Sequence, residues 1–156
     1  MHLEAERYVG GWNHSKPDEK ALYKKLLKST GLDKFACDRS PSVHVSATVA
    51  YWRKANAIHN WFVQTLAGGK DECQRIYVER NKLQALSDLA GEALKYYETG
   101  EPEMACKLLP PSSGFFFGST EIDDGYAQDL RDTIEQLAPF LNGAAKDLTF
   151  YYRASW

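Results

Sequence analysis

One stretch near the middle of the chain concentrates side chains that could do chemistry. The stretch YWRKANAIHNWFV, residues 51–63, places Arg53, Asn56, His59 and Asn60 among apolar residues. Arg53 offers a planar fork for a carboxylate or a phosphate. The two asparagines offer both donors and acceptors, and His59 can donate, accept or act as a base near neutral pH. Because an unpaired buried amide or imidazole costs about 1–3 kcal/mol, the fold or a ligand must supply partners for these groups.

The apolar spacing predicts that this stretch lies on a long central helix, capped by Ser40 or Ser42 and running to about Leu66. One row of that helix would contain Val45, Val49, Trp52, Asn56, His59, Val63 and Leu66. A second apolar row would contain Tyr51, Ala55, Ile58 and Phe62. Two adjacent apolar rows are typical of a helix that is surrounded by other elements, so polar groups at its centre would lie in or near the core.

Three interpretations of this polar centre remain open. In the first, the polar groups form a satisfied core network, and Arg53 pairs with an acid such as Glu79 or Asp124. In the second, Arg53 and Lys54 bind the anionic group of a ligand, while the asparagines and His59 form hydrogen bonds to its polar edges. In the third, His59 is a catalytic base, although no relay partner for it can be identified in the sequence.

The rest of the chain also predicts helices. We expect an irregular segment YVGGWNHS (residues 8–15) and then a helix from Ser15 to Gly31. Further helices are expected from Asp71 to about Tyr97, over residues 101–108, and from about Asp123 to Leu141. The predicted fold is all-α: a single domain over residues 1–156, built as a bundle of about four main helices with an aromatic loop and a docked aromatic C-terminal tail.

Two aromatic segments are candidate parts of a binding site. In the loop SGFFFGS, Phe116 and Phe117 could anchor the loop in the core, or a ring there or at Trp52 could stack on a planar ligand. In the tail FYYRASW, Arg153 could reach a ligand phosphate or stack on a ring. The tail could equally pack across a groove or against a second copy of the chain.

Composition limits the classes of function. The chain has 156 residues and a net charge of -2, so neither nucleic acid nor a membrane is expected as a partner. Cys37, Cys73 and Cys106 form no close pair and the N-terminus lacks a signal pattern, which favours reduced thiols in a cytoplasm. We expect no metal site and no cofactor, because structural zinc sites usually have closely spaced ligand pairs.

The strings YVGGWNHS, YWRKANAIHNWFV, GFFFGSTEIDDGY and FYYRASW together resemble an uncharacterised family of small phage-encoded proteins, with the patterns YWRKANxIHxWFV and GFFFGS as the distinctive ones. The resemblance covers nearly the whole chain. It implies a viral protein that acts in the cytoplasm of a bacterial host, in anti-defence or host takeover. It implies no reaction and no catalytic residue.

The sequence therefore favours a phage accessory protein that binds a small anionic or nucleotide-like ligand. The predicted ligand-binding residues are Trp52, Arg53, Lys54, Asn56, His59, Asn60, Phe116, Phe117 and Arg153. One alternative is a protein–protein inhibitor of a host defence protein without a small-molecule site. A second is a small nucleotide-processing enzyme, which we rank last because paired carboxylates on facing helices are not evident. Self-association as a homo-oligomer remains open.

Overall fold

The computed structural model describes residues 1–113, 119–143 and 146–155. Within these residues the chain forms an α+β fold. The strands are β1 (His2–Gly10), β2 (Ser42–Tyr51), β3 (Ile76–Val78) and β4 (Thr149–Arg153), and the helices are α1 (Pro17–Thr30), α2 (Asn56–Leu66), α3 (Arg80–Glu98), α4 (Pro102–Leu108) and α5 (Asp124–Leu141). The strands form one antiparallel sheet in the order β2-β1-β4-β3.

The prediction of an all-α helical bundle is therefore wrong, and β1 shows one reason. Leu3 and Ala5 are buried, while His2 and Glu4 remain partly exposed. This alternation has the period of two that is typical of a strand with one buried face. The segment expected to be irregular consequently begins as the end of a strand, which continues to Gly10.

The long central helix was the second error. Its first half is β2, and only Asn56–Leu66 is helical. The sequence SVHVSATVAY is rich in β-branched residues, which favour strands. Val45, Val49 and Trp52 happen to follow the four-then-three spacing of a helix, so periodicity alone could not separate the two structures.

The aromatic tail forms β4, which pairs with β3, a strand in a region that the sequence analysis predicted to be the start of the third helix. In β4, Phe150 and Tyr152 are buried and Tyr151 between them is partly exposed. Tyr151 pairs with Tyr77 of the antiparallel neighbour β3. The helix expected from Asp71 therefore begins only at Arg80, after β3.

The strongly amphipathic helix near the C-terminus was predicted correctly. Leu130 and Leu137 of α5 are fully buried, as the apolar stripe indicated. The carboxylate of Asp123 accepts a hydrogen bond from the Tyr126 N–H at 3.0 Å, so it caps the helix. The short helix over residues 101–108 is also present, as α4.

Two compact units share the chain. The larger consists of Met1–Ala5 and Thr48–Trp156, and the main hydrophobic core lies within it. Its largest fully buried side chains include Tyr152, Phe62 and Phe150. The Phe62 and Tyr152 rings stack with their centroids 3.9 Å apart and nearly parallel.

The smaller unit is Glu6–Ala47, which contains α1. Tyr23 of α1 is buried, and a Cβ at Gly11 would clash with its ring, so only glycine lets the backbone pass there. After α1, the large apolar side chains of Leu32 and Phe35 are 51% and 80% exposed. No helix among the described residues has the length and apolar character needed to cross a bilayer.

Candidate functional site

A tight connection between β2 and α2 presents two cations. Lys54 has a positive φ of 61°, in the left-handed region that residues other than glycine seldom occupy. Such a conformation costs roughly 1–3 kcal/mol and persists only where the surrounding structure enforces it. Here the chain must leave the sheet after the buried Trp52 and enter α2 at Asn56, so Arg53 and Lys54 remain exposed at the turn.

Arg53 and Lys54 line a pocket between the start of α2 and the start of α5. The pocket has a volume of about 220 Å³. Its lining residues are Arg53, Lys54, Asn56, Ser119, Glu121, Asp123, Gly125, Tyr126 and Asp129, and we call this set the Arg53 pocket. A concave site with convergent polar groups is the usual form of a small-molecule binding site.

The two asparagines of α2 hold both ends of one chain segment. The side-chain amide of Asn60 donates to the carbonyl of Pro110 at 2.9 Å. The side-chain amide of Asn56 donates to the carbonyl of Ser119 at 2.7 Å. Asn56 is only 4% exposed, so this bond satisfies a buried donor. The asparagines therefore fix the positions of Pro110 and Ser119 relative to α2.

The two cations of the pocket have no direct bonding partner in the part of the chain that the structure describes. The side chains of Arg53 and Lys54 make no hydrogen bond or ion pair within residues 1–113, 119–143 and 146–155. Asp124, one of the acids considered as a partner for Arg53, instead accepts a hydrogen bond from the Tyr97 hydroxyl at 2.8 Å. The structure thus gives no ion-pair explanation for Arg53 in the part of the chain it describes.

Asp129 of α5 is a pocket residue that the sequence analysis did not predict. Burial first, and the nearby charges of Asp132 and Asp123 second, together raise the pKa of its carboxyl to about 6. Among the described residues, no donor bonds to this carboxyl. Because the burial of a side chain depends on the tertiary packing around it, the helical pattern of the sequence could not reveal this desolvation.

Tyr126 fixes the beginning of α5 against α4. Its hydroxyl is shared between the carbonyl oxygens of Ala105 and Leu109, at 3.0 and 3.1 Å. Burial raises the pKa of this phenol well above its ordinary value, so it stays protonated and keeps donating. The wall of the pocket that α5 provides is thereby anchored in the core.

His59 lies elsewhere, in a group that we call the His59 network: the buried His59 and Tyr152 together with Asp71, whose side chain is 29% exposed. The Nδ1 atom of His59 lies 2.7 Å from the Tyr152 hydroxyl, and Nε2 lies 3.0 Å from an Asp71 carboxylate oxygen. A carboxylate only accepts, so Nε2 donates to Asp71, and with one ring proton Nδ1 accepts from Tyr152. Burial first, and the charge of Asp71 second, raise the pKa of the Tyr152 phenol, which keeps it a donor. Both ring nitrogens are therefore engaged.

The remaining predicted site residues are distributed differently. Trp52 is 2% exposed, and its indole N–H donates to the Thr133 hydroxyl at 2.9 Å. Its ring packs with Phe62 and Tyr152 inside the core. Arg153 is exposed at the end of β4. Phe116 and Phe117 lie outside the described residues, as does the rest of the GFFFG segment.

Of the nine predicted residues, the structure thus brings Arg53, Lys54 and Asn56 together in one pocket. The six other lining residues were not predicted as site residues, and three of them are the acids Glu121, Asp123 and Asp129. A signal for the first two existed in the acidic stretch that follows Ser119 in the sequence. Asp123 also caps α5.

Comparison with protein-family models, with curated proteins and with solved structures finds no significant match to this chain. Within the described ranges, no group of three or more His, Cys, Asp or Glu side chains could hold a metal ion. Cys37, Cys73 and Cys106 are free thiols.

Proposed function

We propose that this protein binds a small anionic, nucleotide-like ligand in the Arg53 pocket. The observation that carries the proposal is the pair of cations, Arg53 and Lys54, that line a preformed pocket without an ion-pair partner in the described chain. An arginine fork suits a phosphate or carboxylate, and the strained backbone at Lys54 holds the second cation in place. Asn56 supports the same wall from below through its bond to Ser119.

The biological setting is part of the same proposal. The resemblance of the motif strings to small phage-encoded proteins supports an accessory role in the cytoplasm of a bacterial host, in host takeover or anti-defence. A protein that removes a nucleotide-like signal from solution needs a binding pocket and no catalytic base. This agrees with a His59 whose two nitrogens are both engaged, so we do not propose an enzyme.

The direct test is calorimetric titration of the pure protein with nucleoside monophosphates, alongside thermal shift assays. A ligand present at 100 times its dissociation constant stabilises the folded state by about 2.7 kcal/mol, which corresponds to a rise in Tm of roughly 5–10 °C for a chain of this size. Arg53→Ala should reduce this rise by about half or more, as a 10-fold loss of affinity requires, and leave the Tm of the free protein unchanged. The exposed Arg39 serves as a matched control, because it lies outside the pocket.

A second candidate function is inhibition of a host protein through direct contact. The observation in its favour is Phe35, whose ring is 80% exposed close to the half-exposed Leu32. Large exposed apolar groups that lie together mark many interaction surfaces. If this function is correct, Phe35→Ser should release a specific host protein that the wild-type chain captures, while Arg53→Ala should retain it. Nucleotide binding with no such captured protein would support the pocket instead.

A further inference from the structure

The Arg53 pocket contains charges of both signs, and this combination restricts its ligand. Arg53 and Lys54 are positive, whereas Glu121, Asp123 and Asp129 are negative. The pocket forms no ion pair between the two sets. A ligand that carried only negative charge would gain from the cations and be repelled by the three acids. The favoured ligand therefore has an anionic group at one end and hydrogen-bond donors at the other.

The three acids are not equally available to a ligand. Asp123 already accepts the capping hydrogen bond from the Tyr126 N–H, and Glu121 is exposed. Asp129 is half-buried, and no described residue donates to its carboxyl. It lies five residues beyond the start of α5, which corresponds to about 7.5 Å along the helix at a rise of about 1.5 Å per residue. Asp129 is thus the least exposed of the three acids, and its carboxyl has no donor among the described residues.

Building on the proposed function, we propose that the ligand is a guanine nucleotide whose base is recognised by Asp129 while Arg53 and Lys54 hold its phosphate. A carboxylate has two acceptor oxygens and no donor. Guanine presents two adjacent donors, the N1–H and the exocyclic N2–H, which can bond to both oxygens at once. Adenine and cytosine present one donor beside an acceptor, and the acceptor would face a carboxylate oxygen. The two acceptor oxygens of the Asp129 carboxylate therefore favour guanine over adenine and cytosine.

The raised pKa of Asp129 is compatible with this role. With a pKa of about 6, the free carboxyl is mostly ionised at neutral pH but poorly solvated. Two N–H donors would replace the missing solvation and favour the ionised form. The raised pKa thus marks a group whose charge is better stabilised in a complex than in the free protein.

The test is calorimetric titration of the full chain with GMP, IMP, AMP and XMP, which share a phosphate and differ in the base. Wild-type protein should bind GMP at least about 10-fold more tightly than AMP, since a site built for donors rejects an analogue that lacks them. IMP, which keeps N1–H but lacks the N2 amine, should fall between them. Asp129→Asn should lose the preference for GMP and bind XMP more tightly than wild type does, because an amide can donate to the xanthine O2 and accept from N1–H.

The outcomes separate the two proposals. If all four nucleotides bind with similar affinity and Arg53→Ala abolishes binding, the guanine assignment is overturned and the anionic pocket stands. GMP binding that Asp129→Asn leaves unchanged would also overturn the assignment. If none of the nucleotides and no inorganic phosphate binds to the wild-type chain, the proposed function itself fails.

Discussion

The His59 network and the Arg53 pocket both involve α2, and their polar groups differ in how they are satisfied. In the network, each nitrogen of His59 has a protein partner within 3.0 Å. In the pocket, Arg53, Lys54 and the Asp129 carboxyl lack one among the described residues. A buried polar group stabilises a fold only when it is bonded. Completeness of hydrogen bonding, rather than residue type, therefore distinguishes a structural cluster from a candidate binding site on this helix.

The comparison also explains why α2 tolerates so many polar residues. Asn56 and Asn60 bond to backbone carbonyls at the two ends of the segment of residues 110–119, and His59 joins α2 to β4 and to Asp71. The helix connects elements that are distant in sequence, and these bonds specify how they meet. By contrast, Arg53 and Lys54, which lie just before α2 begins, have no bonded partner among the described residues.

The largest expected effect is the loss of the His59 network. His59→Ala removes two buried hydrogen bonds, leaves the Tyr152 hydroxyl without its partner and creates a cavity, so we expect the free energy of unfolding to fall by about 3 kcal/mol. Chemical denaturation measures this directly. Gln64→Ala, at an exposed position of the same helix, should change stability by less than about 0.5 kcal/mol. Equal losses of stability in the two variants would show that the His59 network does not stabilise the fold more than an exposed side chain of the same helix does.

A smaller loss is expected at Trp52. Trp52→Phe keeps an aromatic ring in the core but removes the indole N–H that bonds to Thr133, and it leaves space beside Phe62. The expected cost is about 2 kcal/mol. Under conditions in which both proteins are fully folded, the ligand affinity of the variant should stay within about twofold of wild type, because Trp52 is only 2% exposed and does not reach the ligand. A stable Trp52→Phe protein that has lost its ligand would instead place Trp52 in the site.

Asp129 should show the opposite sign of effect on stability. Its pKa is raised to about 6 from an ordinary value of 3.8, so the folded state holds its proton more tightly than the unfolded state does. The stabilising contribution is complete below pH 3.8 and is lost as the pH rises through about 6. At pH 7 the partly buried carboxylate is ionised, which costs stability. Asp129→Asn removes this charge, and because the group is only partly buried we expect the free energy of unfolding to rise by about 1 kcal/mol at pH 7.

The measurement is the unfolding free energy of wild type and Asp129→Asn as a function of pH. The difference between the two should grow from about pH 4 to about pH 6 and then level off. Asp132→Asn is the control, since this carboxyl contributes only a neighbouring charge to Asp129. A constant difference over the whole range would mean that Asp129 titrates normally.

Parts of this structure could be predicted because local signals agreed with one another. The stripe of Tyr126, Leu130 and Leu137, with the Asp123 cap, correctly predicted α5. The cations and Asn56 of the pocket could be proposed from one contiguous stretch, because neighbours at a helix start stay close in any fold that keeps the helix.

Other parts depend on contacts that no local pattern encodes. The spacing of Val45, Val49 and Trp52 fits a helix, and the sheet was decided by pairing with strands far away in sequence. Asp129 is an acid within an amphipathic helix, and only the folded structure shows that it is partly buried and lines the pocket. The engagement of His59 by Asp71 and Tyr152 joins three separate elements of sequence. Sequence spacing can nominate such residues, but only the fold decides whether they have partners.

The smallest effect on stability, with the largest expected effect on binding, should come from Arg53. Its side chain is exposed and has no bonded partner in the described chain, so Arg53→Ala should alter the free energy of unfolding by less than about 0.5 kcal/mol. Removing a fork that binds an anion should nevertheless weaken nucleotide binding by at least about 10-fold, since hydrogen bonds to charged groups are worth about 1.5–3 kcal/mol. Arg53→Lys should restore only part of the affinity, because lysine keeps the charge without the planar fork. A variant that binds normally but unfolds more easily would assign Arg53 to the same structural class as His59, and the distinction between the two regions would disappear.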